Sequence, residues 1–390
     1  MGSEFALNNF LSIFGAGTRT ETCQRICKPA TNVDSNNMSV ETSRRLASLD
    51  ILRGLTLFML VFFQPVLYSL GSLTDCGWIL YNFDHEEWAG FRLWDLVMPL
   101  FMFLSGVSVP FSLDKYLTRK KEAFRKVLKR FLLLFILGMV VQGNLLSLDP
   151  SRFKIYVNTL QAIGTGYLIA SAVYLFDRSL TVRCAAIAIL LIIYWVPMKF
   201  FGDYSLTGNF AYKVDELLLG RFRGDLSYTW IWSSLNFGVT VLMGSVAGSL
   251  MKRGAEGNRT SLLMVASGLV CICLGLLASL EMPIIKRIWT SSMTLYSGGL
   301  CFLLMAAFYW WIDVKGHSGP FNWLKIYGMN SIAAYMMGEC INFRSVAHSL
   351  LYGCEQYLGD YYGLLLTNAN FSILFLILFL MYRNKVFLKI

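Results

Sequence analysis

The stretch Asp84-His85-Glu86-Glu87-Trp88-Ala89-Gly90-Phe91-Arg92-Leu93-Trp94-Asp95, continued over 96–106 as LVMPLFMFLSG, decides how the chain is read. A polar segment with a histidine among three carboxylates runs without a break into an apolar stretch of membrane length. Asp95 lies inside that apolar stretch. An ionisable side chain in a membrane helix is costly to insert and is kept where it has a partner and a task. The stretch therefore predicts a membrane enzyme whose reacting group, His85, sits at the mouth of a helix bundle, next to the buried Asp95.

The rest of the sequence supports a membrane setting. Of 390 residues, 56% are hydrophobic and 15% charged, and apolar runs close to the ~20 residues that span a bilayer recur along the chain. A transmembrane β-barrel would need apolar and polar residues alternating over segments of roughly ten; runs such as 131–141 and 371–381 do not alternate. The expected fold class is all-α, a polytopic membrane bundle of about ten helices, at 51–70, 93–113, 127–147, 156–176, 180–199, 229–251, 261–280, 293–313, 324–345 and 366–383.

The formal charge of +10 does not point to nucleic acid, because the basic residues cluster between apolar runs. Arg44 and Arg45 precede the first span, eight Lys and Arg residues between Lys115 and Arg130 join the second to the third, and Lys252, Arg253, Arg259, Lys315, Lys325, Arg383, Lys385 and Lys389 fall in alternate loops thereafter. With ten spans all of these share one face, which the positive-inside rule makes cytosolic. Both termini are then cytosolic, and His85 faces the opposite compartment. Residues 1–42 open with Gly2-Ser3-Glu4-Phe5, read as an expression scar on a disordered segment with Met38 a natural start; the membrane domain is 43–390.

The nine cysteines have no metal-binding spacing, so no metal is expected. Cys76 and Cys354 fall in outer loops, where a disulfide could join them. The long outer loops, near 71–92 and 200–228, are rich in aromatic and acidic residues, among them Trp88 and Asp215. Such a surface suits a sugar or an amine, and an interfacial aromatic belt has the same composition. Polar residues inside or beside the spans complete the candidates: Gln64, Asp95, Asn144, Gln161, Asn330 and Glu339, with Asp50 and Arg53 near the start of the first. Interhelical hydrogen bonds account for amides at such positions; they account less well for buried carboxylates. No GxxxxGK[ST] loop is present, so ATP-driven transport lacks its signature.

Taken in order, these motifs resemble a known family. Ser48-Leu49-Asp50-Ile51-Leu52-Arg53-Gly54, His85 with Trp88-Ala89-Gly90, Asp95-Leu96-Val97-Met98-Pro99, Leu160-Gln161-Ala162-Ile163-Gly164, the Asp215-Glu216-Leu217 stretch, Trp289-Thr290-Ser291-Ser292 and Gly328-Met329-Asn330-Ser331 are similar to the lysosomal heparan-α-glucosaminide N-acetyltransferase family and its bacterial relatives. The likeness covers 43–390. It implies an acetyl group passed from cytosolic acetyl-CoA, used as co-substrate, across the lipid bilayer to the amine of a glucosamine or glucosamine-containing sugar. It also implies a bacterial inner membrane with the active-site loop towards the periplasm; a homodimer is left open.

By the same resemblance His85 occupies the position of the family's active-site histidine. Gln64 stands where relatives can carry an asparagine. Asp50, Arg53, Trp88, Asn144, Gln161, Asp215, Asn330 and Glu339 are the candidates for holding sugar or CoA. Where relatives often have an arginine after the Leu-Gln pair, this chain has Ala162. Two rival readings remain at this stage: a transporter in which Asp95, Glu339 and Arg344 line an ion path, and an O-acyltransferase of another envelope glycan.

Overall fold

In lipid the backbone has no hydrogen-bond partner but itself, so apolar runs of this length fold as helices. A computed structural model of the chain describes residues 46–74, 77–116, 118–142, 148–151, 153–225, 227–253 and 256–388. Among these the regular structure is helical, with one isolated β-bridge, Ala89 to Ile285. The helices are α1 (Ala47–Gly71), α2 (Leu93–Tyr116), α3 (Lys120–Val141), α4 (Thr159–Phe176), α5 (Leu180–Phe200), α6 (Phe210–Leu219), α7 (Ser234–Arg253), α8 (Gly257–Ala278), α9 (Ser291–Val314), α10 (Leu324–Met329) and α11 (Ser331–Cys340). A final stretch, Phe343–Arg383, contains α12 (Phe343–Leu351) and α13 (Tyr362–Arg383).

Eight segments among the described residues are long and apolar enough to cross a membrane: α1, α2, α4, α5, α7, α8, α9 and the α12 to α13 stretch. The chain is a polytopic helical membrane protein. Two of the ten expected spans differ from the rest for physical reasons. Helix α3 has 22 residues, but Lys120, Lys121, Glu122, Arg125, Lys126, Lys129 and Arg130 occupy its first half. The run 324–345 is broken at Asn330, whose φ of −118° and ψ of 36° separate α10 from α11.

Helix α7 is the centre of the bundle. Its membrane-length window is 83% buried, against 11% for α5 and 22% for α8. That position explains its composition of glycine, serine and threonine, since lipid supplies no hydrophobic drive between helices and close backbone contact has to. A Cβ at Gly244 would lie 2.0 Å from the Phe103 carbonyl oxygen, and one at Gly106 would lie 2.0 Å from that of Val241, so α2 and α7 touch backbone to backbone. Helix α2 is thereby fixed along its length. The expected 1–42 segment lies outside the described residues, as does Cys76; Cys354 has a free thiol.

Candidate active site

Helix α2 begins with a single 3-10 turn, Leu93–Leu96, and that turn sets the position of Asp95. The carboxylate is wholly buried. Its Oδ2 accepts the backbone N–H of Arg92 at 3.0 Å and of Glu86 at 3.3 Å. Its Oδ1 lies 2.8 Å from His85 Nδ1. The loop from Asp84 to Arg92 thus curls over the start of α2 with Asp95 as its anchor. Arg92 holds the loop from the other side, donating to both carboxylate oxygens of Glu86 at 2.9 and 3.2 Å and stacking on Tyr81 at 3.9 Å.

A third group, distant in sequence, completes the cluster. Lys286 Nζ lies 2.8 Å from His85 Nδ1, 3.4 Å from His85 Nε2 and 3.2 Å from Asp95 Oδ1, with only 7% of the residue exposed. Burial, opposed by Asp95 and reinforced by the neighbouring Arg287, lowers the ammonium to about 8. The segment that carries it is tightly held. Gly90 N–H donates to the Ile284 carbonyl at 2.8 Å beside the Ala89 to Ile285 bridge. The Ile288 carbonyl accepts from Tyr194 and Ser233, and Asn236 donates to the Trp289 carbonyl at 2.7 Å. Trp289 itself takes a φ of +53°, a conformation that a bulky residue keeps only where its surroundings impose it.

Gly90 is the joint between the two loops. Its φ is +141°, and a Cβ there would meet Glu86 Cγ at 3.0 Å. Gly90→Ala should therefore cost about 1–3 kcal/mol of stability, read as a lower melting temperature in detergent, and should lower activity by pulling His85 away from Lys286. An unchanged melting temperature would show that the loop relaxes freely.

His85 Nδ1 faces both an acceptor and a donor. In one neutral tautomer Nδ1–H donates to Asp95 and Nε2 is bare; in the other Lys286 donates to a bare Nδ1 and Nε2 carries the proton. Both forms of the ring are matched by a partner, so Nε2 can take a proton and give it back.

His85 and Lys286 line one end of a cavity of about 510 Å³. Along α2 its wall runs from Trp94 through Val97, Met98 and Phe101 to Ser105, roughly 16 Å at 1.5 Å per residue. Arg53 from α1, Arg130 from α3 and Leu388 from the C-terminal tail line it as well. The cavity that His85 and Lys286 line is thus also lined by two guanidinium groups. Tyr228 and Trp230 form an aromatic wall, and Glu339 from α11 also faces the space.

The expected residues divide accordingly. His85, Arg53 and Glu339 line the cavity, and Asp95 contacts His85 directly. Asp50 is buried behind Arg53, 3.8 Å from its guanidinium. Gln64 follows a π-helical turn, Met59–Phe63, in α1 and donates to the Phe83 carbonyl at 2.8 Å, two residues before His85. Its contact is with the loop that carries the histidine.

Gln161 closes the start of α4, accepting from Val157 and Asn158 and donating to the Ile155 carbonyl. Asn330 pins the C-terminal tail through the Val386 carbonyl and Leu388 N–H. Trp88 donates to the Tyr204 carbonyl at 2.8 Å and packs in an apolar cluster with Tyr194 and Ile285. Asp215, on α6, is buried and accepts the N–H groups of Trp230 and Ile231 at 2.7 and 2.9 Å; burial raises it to about 6. It braces the aromatic wall from behind. Asn144 lies outside the described residues.

Lys286 is the residue that the sequence reading missed. The available signal was a Lys286-Arg287 pair flanked by isoleucines in a short loop on the face away from the basic clusters, three residues before the Trp289-Thr290 motif.

Comparison with known proteins gives a consistent assignment. The model for the catalytic part of heparan-α-glucosaminide N-acetyltransferase matches residues 45–259, which contain His85 and Asp95; Lys286 lies beyond the match. Heparan-α-glucosaminide N-acetyltransferase of Homo sapiens is 25% identical over 362 residues, covering 76% of this chain and 53% of that protein. The protein of the same name from Mus musculus is 25% identical over 397 residues, covering 85% of this chain and 58% of its own length. The chain spans a little more than half the length of these curated relatives.

Proposed function

The chain belongs to the heparan-α-glucosaminide N-acetyltransferase family, and from that premise we propose that it moves an acetyl group from acetyl-CoA to the amine of glucosamine or a glucosamine-containing sugar. The observation that carries the reading is the cavity, which has a histidine paired with a buried carboxylate at one end and Arg53 and Arg130 in its wall. Guanidinium groups suit the phosphates of CoA, and the apolar side chains of the cavity wall, Leu57, Val97, Met98 and Phe101 among them, suit its pantetheine arm. The basic loops mark the cytosol on this reading, so CoA enters there. The sugar arrives from the face of His85, the periplasm in a bacterial inner membrane.

A thioester is already activated, and the site has three tasks. It must hold the amine against the carbonyl carbon, which positioning alone can make worth about 7–11 kcal/mol. It must take the proton that the amine loses, for which a base of near-neutral pKa is worth about 10²- to 10⁴-fold. It must also stabilise the oxygen that becomes negative. His85 takes the second task, with Asp95 orienting its ring; acetylation of His85 itself, followed by transfer to the amine, uses the same geometry.

The test is release of free CoA thiol from acetyl-CoA by purified protein, with glucosamine, with N-acetylglucosamine and with no acceptor. Glucosamine alone should stimulate release. Stimulation by N-acetylglucosamine, whose nitrogen is blocked, points instead to O-acetylation, and no release with any acceptor overturns the acetyltransferase reading. Sidedness is tested in sealed vesicles of defined orientation, with acetyl-CoA on the cytosolic face and glucosamine on the other. Product should appear on the glucosamine side. A requirement for both substrates on one face would sink the transmembrane route.

A further inference from the structure

Lys286 is a buried cation 201 residues from the histidine it touches, and the acid-base roles above do not use its charge. An ordinary ion-pair partner for Asp95 could sit behind the carboxylate. Lys286 instead lines the cavity, with Nζ 3.4 Å from His85 Nε2. The backbone of its loop is fixed by the bridge at Ala89, the Tyr194 and Ser233 bonds to Ile288 and the Asn236 bond to Trp289, and the ammonium itself is held by Asp95 and His85. We propose that Lys286 is a catalytic residue whose ammonium donates to the acetyl carbonyl oxygen as that oxygen becomes anionic. This inference rests on the acetyltransferase reading.

The amine lone pair forms the new C–N bond to the carbonyl carbon, and the C=O π pair moves onto oxygen, where one N–H of Lys286 meets it. A second N–H stays on Asp95 Oδ1. The amine proton passes to His85 Nε2. When the intermediate collapses the C–S bond breaks, and the sulfur leaves as thiolate and takes the proton from His85. Lys286 gives up no proton and is charged throughout. A buried, fixed donor aimed where charge develops is worth more than the same donor in solvent because it needs no reorganisation.

The charged groups around this ammonium are Asp95 at the head of α2, His85 in the loop before it and Arg287 beside it in the chain; Tyr228 lies near Arg287, and Glu86 is taken up by Arg92. Since the role needs the cation and burial brings the group down to about 8, the contribution is present below that pH and disappears above it. An arginine at the same position would keep its charge at any accessible pH.

The experiment measures thiol release by wild type, Lys286→Met and Lys286→Arg, with the concentration of neutral amine held constant at each pH so that ionisation of the acceptor drops out. Binding of CoA, followed as heat stabilisation, reports folding. In wild type, turnover should fall about tenfold per pH unit above pH 8. Lys286→Met should bind CoA yet lose about 10²- to 10³-fold in turnover, the usual cost of one oxyanion donor. Lys286→Arg, even if slow, should have its alkaline fall moved up by at least one pH unit.

A Met variant with more than a third of wild-type turnover overturns the proposal, and so does an Arg variant with an unmoved alkaline fall. Where neither variant folds, the wild-type profile decides, and constant turnover from pH 7 to 10 overturns it. No thiol release by wild type brings down the acetyltransferase reading and this inference together; release indifferent to residue 286 brings down this inference alone.

Discussion

His85→Ala should insert and fold like wild type, bind acetyl-CoA, and lose about 10²- to 10⁴-fold in glucosamine-stimulated thiol release, the range a positioned base contributes. Folding survives because the partners of His85 do not depend on it. Asp95 keeps Lys286 at 3.2 Å and the backbone N–H groups of Arg92 and Glu86, so the buried carboxylate is left neither uncharged-for nor unbonded. The side chain of His85 is itself 39% exposed, and its loss opens little apolar surface. The comparison is of initial rates at saturating acetyl-CoA, with CoA binding as the control. Retention of more than about a tenth of the wild-type rate would remove His85 from the chemistry and leave the cavity with no base at that end.

Which parts of this site could be read from the sequence follows from where the partners lie along the chain. His85 and Asp95 are ten residues apart, within one loop and the first turn of α2, so their pairing was legible from a carboxylate at the head of an apolar helix beside a histidine. Lys286 reaches the pair across 201 residues through a bridge at Ala89 and a loop braced by Tyr194, Ser233 and Asn236. Spacing along the chain holds no trace of that contact, because hydrophobic periodicity reports which face of a helix is buried and not which loops meet. Trp88 and Asp215 were candidates for touching sugar from the composition of the outer loops and the motifs they belong to. Both instead hold backbone, since an indole N–H and a carboxylate in a crowded outer layer are claimed first by the unpaired carbonyls and N–H groups of irregular loops.

The fold followed a similar division. Length and apolarity marked α1, α2, α4, α5, α7, α8 and α9, because a lipid-spanning backbone must close its own hydrogen bonds. They failed to mark the break at Asn330, where the amide bonds the C-terminal tail at Val386 and Leu388. The residues around that break, Gly328, Met329 and Ser331, line the cavity. Interrupted backbone at membrane depth is tolerated where it is covered by protein or faces a cavity, and here it does both.

Asp95→Asn separates the two things that the buried carboxylate does. Asparagine has the same shape but one acceptor oxygen and one donor amide where Asp95 has two acceptors. If the oxygen stays on the Arg92 and Glu86 N–H groups, the amide N–H faces His85 Nδ1 and the Lys286 ammonium, so a donor meets a donor and the Nδ1–H tautomer loses its acceptor. Lys286 is then a buried cation with no counter-charge, and breaking a buried pair in this way costs about 3–5 kcal/mol. The single variant should accordingly be less stable by that order and slower by about 10²- to 10⁴-fold, the range for a base held in the wrong tautomer. The double variant Asp95→Asn with Lys286→Met removes both charges, and two contacting residues should not behave additively. Stability should return most of the way to wild type, measured as the melting temperature in detergent, because no charge is left unpaired. Activity should not return, because the imidazole still lacks its acceptor and the proposed oxyanion donor is gone as well. Recovery of rate along with stability in the double variant would mean that Asp95 serves the fold alone, that His85 needs no orienting partner and that Lys286 is not the oxyanion donor.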